Sequence, residues 1–190
     1  MVDSDQCWVF GYGSLMWRPG FPYEEVLPAS LDGYRREMCI QSVRYRGTPD
    51  APGLVCGLMP GGRCRGLAYR IHADKKESVI RYLDERELVN DVYLPCHVNL
   101  ELEGGFRVKA RTYVADTEHL QYAGAWSDTL KIKYLIQGYG KEGRSLDYLA
   151  SIIEQLSHLG MVDEQLTQLL AKARVEDGKT LKDKTEKSFL

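Results

Sequence analysis

The chain has 190 residues, and its 25 Lys and Arg against 27 Asp and Glu leave a formal net charge of −2, which argues against a nucleic-acid-binding domain. A compact chain of this length buries roughly 70% of its unfolded surface, so one hydrophobic core needs neither disulfides nor metal to hold it. We expect one domain over residues 7–176, between an N-terminal tail at 1–6 and a C-terminal tail at 177–190.

Five cysteines are scattered along the chain, and no two have the CxxC spacing of a zinc or redox motif. We expect buried free thiols and no metal site or cofactor. Residues 1–6 are acidic and polar rather than basic and apolar, and no apolar stretch approaches the ~18 residues of a membrane span. The sequence predicts a cytoplasmic protein without membrane or nucleic-acid partners, and it gives no oligomeric state.

Short apolar segments alternate with turn residues over the first part of the chain. We predict strands over residues 7–10, 31–40, 54–58, 65–71, 93–102 and 107–114. Glu103, Gly104 and Gly105 join the last two in a hairpin, because glycine readily takes the positive φ of a tight turn. The cluster at 61–65 is interpreted as a loop with solvated charges. This many short strands predicts a barrel or a strongly curled sheet.

The last third of the chain predicts a helical hairpin. Apolar residues recur at helical spacing from Ser145 until Gly160 ends the pattern, and Asp163 is placed to cap a second helix. Residues 179–190 are rich in lysine and poor in apolar side chains, so we expect a frayed tail there.

One carboxylate, Glu87, stands out on a helix predicted to begin near Asp74. Asp74 and Glu77 have the spacing of a capping box, and at 100° per residue Glu87 falls about 80° from Val79, inside the apolar arc. Desolvation and the negative end of the helix dipole would raise the pKa of this carboxyl, which suits proton transfer near neutral pH. Alternatively, the helix ends at residues 83–85 and Glu87 lies on a solvated loop. The pattern leaves both open.

A strand that breaks into a glycine-flanked turn lies near the start of the chain. Its residues are Val9, Phe10, Gly11, Tyr12, Gly13, Ser14 and Leu15. Glycines let consecutive backbone N–H groups converge on an anion, and a serine hydroxyl adds another donor. The segment lacks the third glycine of a dinucleotide fingerprint and the lysine of a P-loop. A plain turn and an anion-binding turn both remain possible from these residues alone.

Together with downstream segments, this turn resembles the ChaC-type, glutathione-specific γ-glutamylcyclotransferases, which open with a strand ending in Gly-Tyr-Gly-Ser-Leu. The other segments that carry the resemblance, in family order and with similar spacing, are Arg46-Gly47-Thr48-Pro49, Pro52-Gly53, Gly66-Leu67-Ala68-Tyr69-Arg70, Tyr82-Leu83-Asp84-Glu85-Arg86-Glu87, Tyr122-Ala123-Gly124 and Gly143-Arg144-Ser145-Leu146-Asp147-Tyr148-Leu149. The resemblance covers residues 8–156. Several ordered motifs over that length make it specific.

The resemblance implies an α+β fold, a small mixed β-barrel of the γ-glutamylcyclotransferase-like type with peripheral helices and a C-terminal helical hairpin. The implied reaction cleaves glutathione to 5-oxoproline and cysteinylglycine without a cofactor. Glu87 is then the catalytic residue, and the segment from Val9 to Leu15 is the substrate-binding turn.

Three further side chains have two interpretations each. Tyr148 either lends its hydroxyl to the glutamyl end of the substrate or is a core tyrosine. Arg44 and Arg46 are predicted to share one strand face, where they either attract the glycyl carboxylate or are ordinary exposed arginines.

Other functions remain as alternatives to glutathione cleavage. A related enzyme would act on other γ-glutamyl amides or amino acids. A non-catalytic module would use the glycine turn to hold a small anion or γ-glutamyl group. A zinc or redox module has only the five cysteines in its favour.

Overall fold

The computed structural model describes residues 7–187, with side chains through Lys179. The chain forms two compact units: the first comprises the described residues up to Ile40 and Cys56–Gly124, the second Gln41–Val55 and the residues from Ala125 onward. Residues 1–6 and 188–190 of the expected tails lie outside the described residues. The proposed domain bounds stay a prediction.

Five strands close into a barrel, which confirms the expected architecture. They are β1 (Cys7–Gly11), β2 (Glu25–Ser42), β3 (Gly53–Ile71), β4 (Tyr93–Leu102) and β5 (Arg107–Ala115). Their order around the barrel is β1-β3-β2-β4-β5. Strand β1 pairs antiparallel with β3 and parallel with β5, so the barrel is mixed. The β4–β5 hairpin turns through Gly104 and Gly105, whose φ angles of 93° and 83° supply the predicted positive-φ positions.

Residues 61–65 are not the loop that we expected, because they lie inside the single long strand β3. Gly61 and Gly62 take φ angles of 92° and 81° without ending the strand. The Cys64 side chain is buried, and the Arg63 guanidinium pairs with the Asp32 carboxylate on β2, with Nη2 and Oδ2 3.1 Å apart. Glycines that bend a strand look the same in sequence as glycines that end one, which is why the prediction of two separate strands was wrong.

Four of the five cysteines are buried free thiols, as predicted. Cys7, Cys39, Cys56 and Cys64 are buried, and Cys96 is partly exposed. A buried thiol behaves as a small apolar side chain, so these residues contribute packing volume.

Helix α1 spans Lys76–Glu87, and its start differs from the expected capping box. A short 3-10 turn at Ala73–Lys75 precedes it, and the residue before the helix makes no side-chain cap. The Asp74 carboxylate instead lies beside His72, with Oδ1 and Nδ1 3.3 Å apart. Asp74 therefore lies in the preceding 3-10 turn, and the predicted capping box does not form.

The end of α1 decides between the two interpretations of Glu87. The helix includes Glu87 as its last residue, and the Leu88 N–H donates to the Asp84 carbonyl at 3.0 Å. Val79 and Leu83 are its buried residues. The alternative in which the helix ends at residues 83–85 is therefore wrong.

The second unit contains α2 (Asp128–Gln137), α3 (Ser145–His158) and α4 (Glu164–Lys187). The predicted hairpin of α3 and α4 is confirmed, with Gly160 at φ 64° between them and Asp163 Oδ1 accepting from the Leu166 N–H at 3.1 Å. The backbone of α4 stays helical through Lys187, over much of the segment expected to fray. None of the helices in the described part of the chain is long and apolar enough to cross a membrane.

Sequence reasoning missed α2. Ser127 caps it by accepting a hydrogen bond from the Leu130 N–H at 3.4 Å. Ser127 followed by Asp128 is a recognisable start signal, but the ten-residue helix has weak apolar periodicity.

The Pro52-Gly53 motif of the sequence lies at a close crossing of backbones in the second unit. A Cβ added to Gly138 would lie 2.3 Å from the Gly53 Cα, and one added to Gly53 would lie 2.1 Å from the Arg46 carbonyl oxygen. The Gln137 side-chain amide donates to the Pro52 carbonyl at 2.8 Å. Glycine is needed at these positions because any side chain would separate the segments.

Ser145, at the first residue of α3, ties that helix to the start of β3. Its fully buried hydroxyl accepts from the Leu54 N–H at 2.8 Å and donates to the Leu54 carbonyl at 2.5 Å. One side chain therefore satisfies both backbone polar groups of the buried residue Leu54.

The substitution Ser145→Ala is expected to lower the free energy of unfolding by about 2–4 kcal/mol, because it leaves a buried N–H and a buried C=O without their partner. Urea denaturation measures the change. The control is Ser151→Ala on the same helix. The Ser151 hydroxyl only donates to the Asp147 carbonyl one turn earlier, so its removal should change stability by less than about 0.5 kcal/mol. Equal effects of the two substitutions would contradict this assignment.

Candidate active site

The structure brings Glu87 and the glycine turn together through one side chain of the first unit. Arg86 Nε lies 3.2 Å from Glu87 Oε1, and Arg86 Nη2 donates to Ser14 Oγ at 2.9 Å. The carboxylate at the end of α1 and the hydroxyl of the turn that follows β1 therefore flank the same guanidinium. This arrangement defines the candidate active site.

The turn itself is a single 3-10 turn, Ser14–Met16, that follows β1. The Met16 N–H donates to the Gly13 carbonyl at 2.9 Å, and the Arg18 N–H donates to the Ser14 carbonyl at 2.9 Å. Helical geometry supplies no carbonyl partner for the N–H groups of Ser14 and Leu15, which precede these bonds. They are the donors that the turn can offer to an anion.

Tyr69 on β3 holds the turn in place through a hydrogen bond. Its hydroxyl donates to the Leu15 carbonyl at 2.8 Å, and only 2% of the residue is exposed. Burial raises the pKa of this phenol, so Tyr69 acts as a neutral donor rather than as an acid. A Cβ added to Gly11 would lie 3.0 Å from the Leu15 Cβ and 3.2 Å from the Tyr69 ring, which explains why the turn begins with glycine.

Most side chains of the predicted substrate-binding segment point into the protein. Val9 and Phe10 are fully buried, and Leu15 is 6% exposed. The Tyr12 hydroxyl donates to the Tyr113 carbonyl at 2.8 Å. Ser14 is the partly exposed side chain of the segment, so a ligand would meet its hydroxyl and the backbone rather than the aromatic rings.

A buried cation, Arg36, lies beneath the turn and was missed by sequence reasoning. Its Nε donates to the Tyr12 carbonyl at 2.6 Å, its Nη2 donates to the Arg65 carbonyl, and 4% of the residue is exposed. Arg36 falls in the same alternating phase as Met38 and Ile40 on β2, and an arginine in that apolar phase is the signal that could have identified it.

The carboxyl of Glu87 is largely buried and its pKa is raised, as its helical phase predicted. About a fifth of its side chain is exposed. Desolvation raises the pKa of the carboxyl, and the positive charge of Arg86 partly offsets that rise. A carboxyl poised in this way can be protonated and deprotonated at pH values closer to neutrality than an exposed glutamate.

The remaining predicted side chains belong to the second unit. Tyr148 on α3 is 6% exposed, and the Arg46 guanidinium lies 5.2 Å from the centre of its ring. Arg46 Nη1 donates to the carbonyls of Glu142 and Arg144. The prediction that Arg44 and Arg46 share a strand face is wrong, because β2 ends at Ser42, whose hydroxyl accepts from the Arg46 N–H at 3.0 Å as the chain turns.

Comparison with known proteins places this chain in one class. The model of the ChaC-like protein family matches residues 7–176. The glutathione-specific gamma-glutamylcyclotransferase of Escherichia coli strain K12 is 33% identical over 172 residues, which cover 90% of this chain and 74% of that protein. Gamma-glutamylcyclotransferase 2-3 of Arabidopsis thaliana is 34% identical, with 88% of each chain covered.

The fold is also found in a solved structure. The crystal structure of the yeast γ-glutamyl cyclotransferase specific to glutathione superposes with a TM-score of 0.83 at 22% identity, covering 89% of this chain and 96% of that chain. The fold is thus that of the γ-glutamylcyclotransferases, as the resemblance implied. The chain belongs to the ChaC-like family.

The raised pKa of Glu87 gives the protein a testable pH dependence of stability. Because the folded state disfavours the carboxylate, the contribution of Glu87 to stability is greatest below the ordinary glutamate pKa of 4.5 and is lost as pH rises through its higher folded pKa. Glu87→Gln has no such loss. The difference in unfolding free energy between Glu87→Gln and the wild type should therefore increase from pH 4 to pH 8 in urea titrations.

Glu85→Gln is the matched control, since Glu85 is exposed on the same helix. Its difference from the wild type should change less over the same pH range than that of Glu87→Gln. A flat difference for Glu87→Gln would show that the folded state does not disfavour the ionised carboxyl.

Proposed function

We propose that this protein is a glutathione-specific γ-glutamylcyclotransferase, which converts the tripeptide glutathione into 5-oxoproline and cysteinylglycine. The observation that carries the proposal is the partly buried Glu87 joined through Arg86 to the Ser14 hydroxyl of the glycine turn. The names of the E. coli relative and of the yeast structure support the choice of substrate. The free thiols of the described chain fit a reducing compartment, and we propose that the protein is cytoplasmic.

The reaction needs no nucleophile from the protein. In a γ-glutamyl substrate, the α-amine reaches the γ-carbonyl carbon and forms a five-membered ring. A C–N bond to the α-nitrogen forms, and the C–N bond to the cysteinyl nitrogen breaks. The protein must hold the folded substrate, remove a proton from the α-ammonium and give one to the leaving nitrogen. The α-nitrogen loses a second proton as it becomes the lactam N–H, and the amine of cysteinylglycine takes up a second proton as it becomes an ammonium, so the protons balance.

Glu87 is proposed to carry out both proton transfers. As a carboxylate it takes a proton from the α-ammonium, and as a carboxylic acid it returns one to the departing cysteinyl nitrogen. The raised pKa makes the carboxylate a stronger base and keeps the acid form accessible near neutral pH. One residue thus serves as general base and then as general acid.

The glycine turn is proposed to bind the negative end of the substrate. The N–H groups of Ser14 and Leu15 and the Ser14 hydroxyl would donate to the α-carboxylate or to the oxyanion that develops on the γ-carbonyl. The buried Arg36 guanidinium beneath Tyr12 adds a fixed positive charge to this region. The proposal is built on residues of the first unit, and Tyr148 is not assigned a step in it.

The proposed activity predicts that the purified protein releases 5-oxoproline from glutathione in a 1:1 ratio with cysteinylglycine, both measured by chromatography. The same assay with γ-glutamylalanine identifies the alternative enzyme, because an enzyme for γ-glutamyl amino acids would process this substrate at least as fast as glutathione. Binding of glutathione without product would indicate a non-catalytic module instead.

Glu87→Gln is expected to lower kcat for glutathione by about 1000-fold, because an amide can neither accept nor return the proton. Glutathione binding, measured by calorimetry, should be retained, since the fold and the turn donors are unchanged. Glu85→Gln, one position from Arg86 on the exposed side of α1, should keep wild-type turnover. Near-normal turnover of Glu87→Gln would rule out Glu87 as the proton carrier.

A further inference from the structure

We propose that Arg86 is a positioning residue that holds the Ser14 hydroxyl and the segment after it at a set distance from Glu87, and that it directs the Ser14 hydroxyl hydrogen toward the bound substrate. This inference rests on the proposed function and deepens it. It assigns a task to a residue that neither transfers a proton nor needs to touch the substrate.

The first observation is the number of groups that one guanidinium joins. Arg86 Nη2 donates to Ser14 Oγ at 2.9 Å, and Arg86 Nη1 donates to the carbonyls of Arg18 and Pro19 at 2.8 and 3.2 Å. On its other side, Arg86 Nε faces Glu87 Oε1 at 3.2 Å. The planar guanidinium of Arg86 therefore bridges the end of α1 and the segment that follows β1.

The second observation is that Tyr82, one helical turn before Arg86, packs closely against the same segment after β1. Arg86 Nη1 also lies 3.1 Å from the Tyr82 hydroxyl oxygen, so its two N–H groups are shared among three acceptors. Gly20 has a φ of 75°, and a Cβ added there would lie 2.1 Å from the Tyr82 hydroxyl oxygen. Two side chains four residues apart on α1 thus hold residues 18–20 against the helix.

The hydrogen-bonding capacity of serine gives this contact a chemical consequence. A hydroxyl has one donor and two acceptor lone pairs. An Arg86 N–H already occupies a lone pair of Ser14 Oγ, and a cation cannot accept the hydroxyl hydrogen in return. The hydrogen must therefore point away from Arg86, and the adjacent positive charge makes it a stronger donor.

Arginine is required for this arrangement because of its shape as well as its charge. Five N–H groups in one plane reach the hydroxyl, the two carbonyls and the carboxylate in different directions at once. A lysine ammonium is a point charge with three donors around one nitrogen. It would keep the charge next to Glu87 but could not hold Ser14 and the carbonyls of Arg18 and Pro19 together.

The experiment is a double-mutant cycle of Arg86→Lys and Ser14→Ala, read as kcat and KM for glutathione. Each single variant should lower kcat/KM by about tenfold or more, because each loses the directed hydroxyl. In the Arg86→Lys background, Ser14→Ala should cost less than about twofold further, since the hydroxyl is no longer held. Arg63→Lys is the matched control, because Arg63 pairs with Asp32 in an exposed contact; it should keep wild-type kinetics.

A purely structural role for Arg86 predicts a different result. The variants would then lose stability, measured by urea denaturation, while kcat/KM per folded molecule stayed at the wild-type value or the two losses multiplied. Either outcome would overturn the proposal. Ser14→Ala with kcat/KM within twofold of the wild type would also overturn it, whether or not Arg86→Lys folds.

The failure of this inference can be told apart from the failure of the proposed function. A wild-type protein that releases no 5-oxoproline from glutathione overturns the proposed function and the positioning role that depends on it. A wild-type protein that turns over glutathione, with independent effects at positions 14 and 86, overturns the positioning role alone.

Discussion

The contact between α1 and the barrel is the constraint on which the site depends. Asp84 accepts a hydrogen bond from the Tyr113 hydroxyl and pairs with Arg111 Nη2, both at 2.6 Å, so the last turn of the helix is attached to β5 by a charged network. Burial raises the pKa of Tyr113, which keeps it a neutral donor to this carboxylate. Because Asp84 lies one turn before Glu87, the network also sets where Glu87 lies.

The site concentrates polar groups that an ordinary barrel would avoid. Arg36 is buried beneath the turn, Glu87 is partly desolvated, and both depend on neighbouring groups to offset the cost of burial. Such groups weaken the fold locally, yet they make a carboxyl basic and a turn positive where a small zwitterionic substrate would need both. In the turn after β1 and at the end of α1, the residues that favour the chemistry therefore lower the local stability.

Much of the fold could be predicted from local patterns, and two of the failures have different causes. The β4–β5 hairpin, the Asp163 cap and the helical phase of Glu87 follow from spacing within a few residues, and the structure confirms them. The prediction of a loop at 61–65 was wrong because a partner distant in sequence, Asp32 on β2, pairs with Arg63 in this segment. The shared strand face of Arg44 and Arg46 was wrong for a local reason, because β2 ends at Ser42 and the Ser42 hydroxyl accepts from the Arg46 N–H as the chain turns.

The sequence by itself determined the family, because several ordered motifs resemble it, and it determined the barrel class, because turn residues and apolar periodicity are local properties of the chain. Helical phase singled out Glu87 as the candidate carboxylate but left open whether it lies on the helix. Only the tertiary structure decided what surrounds that carboxylate. Arg86 reaching Ser14 across 72 positions and Arg36 reaching Tyr12 across 24 are contacts between elements far apart in sequence. Their geometry depends on closure of the barrel, and no spacing rule along one chain encodes it.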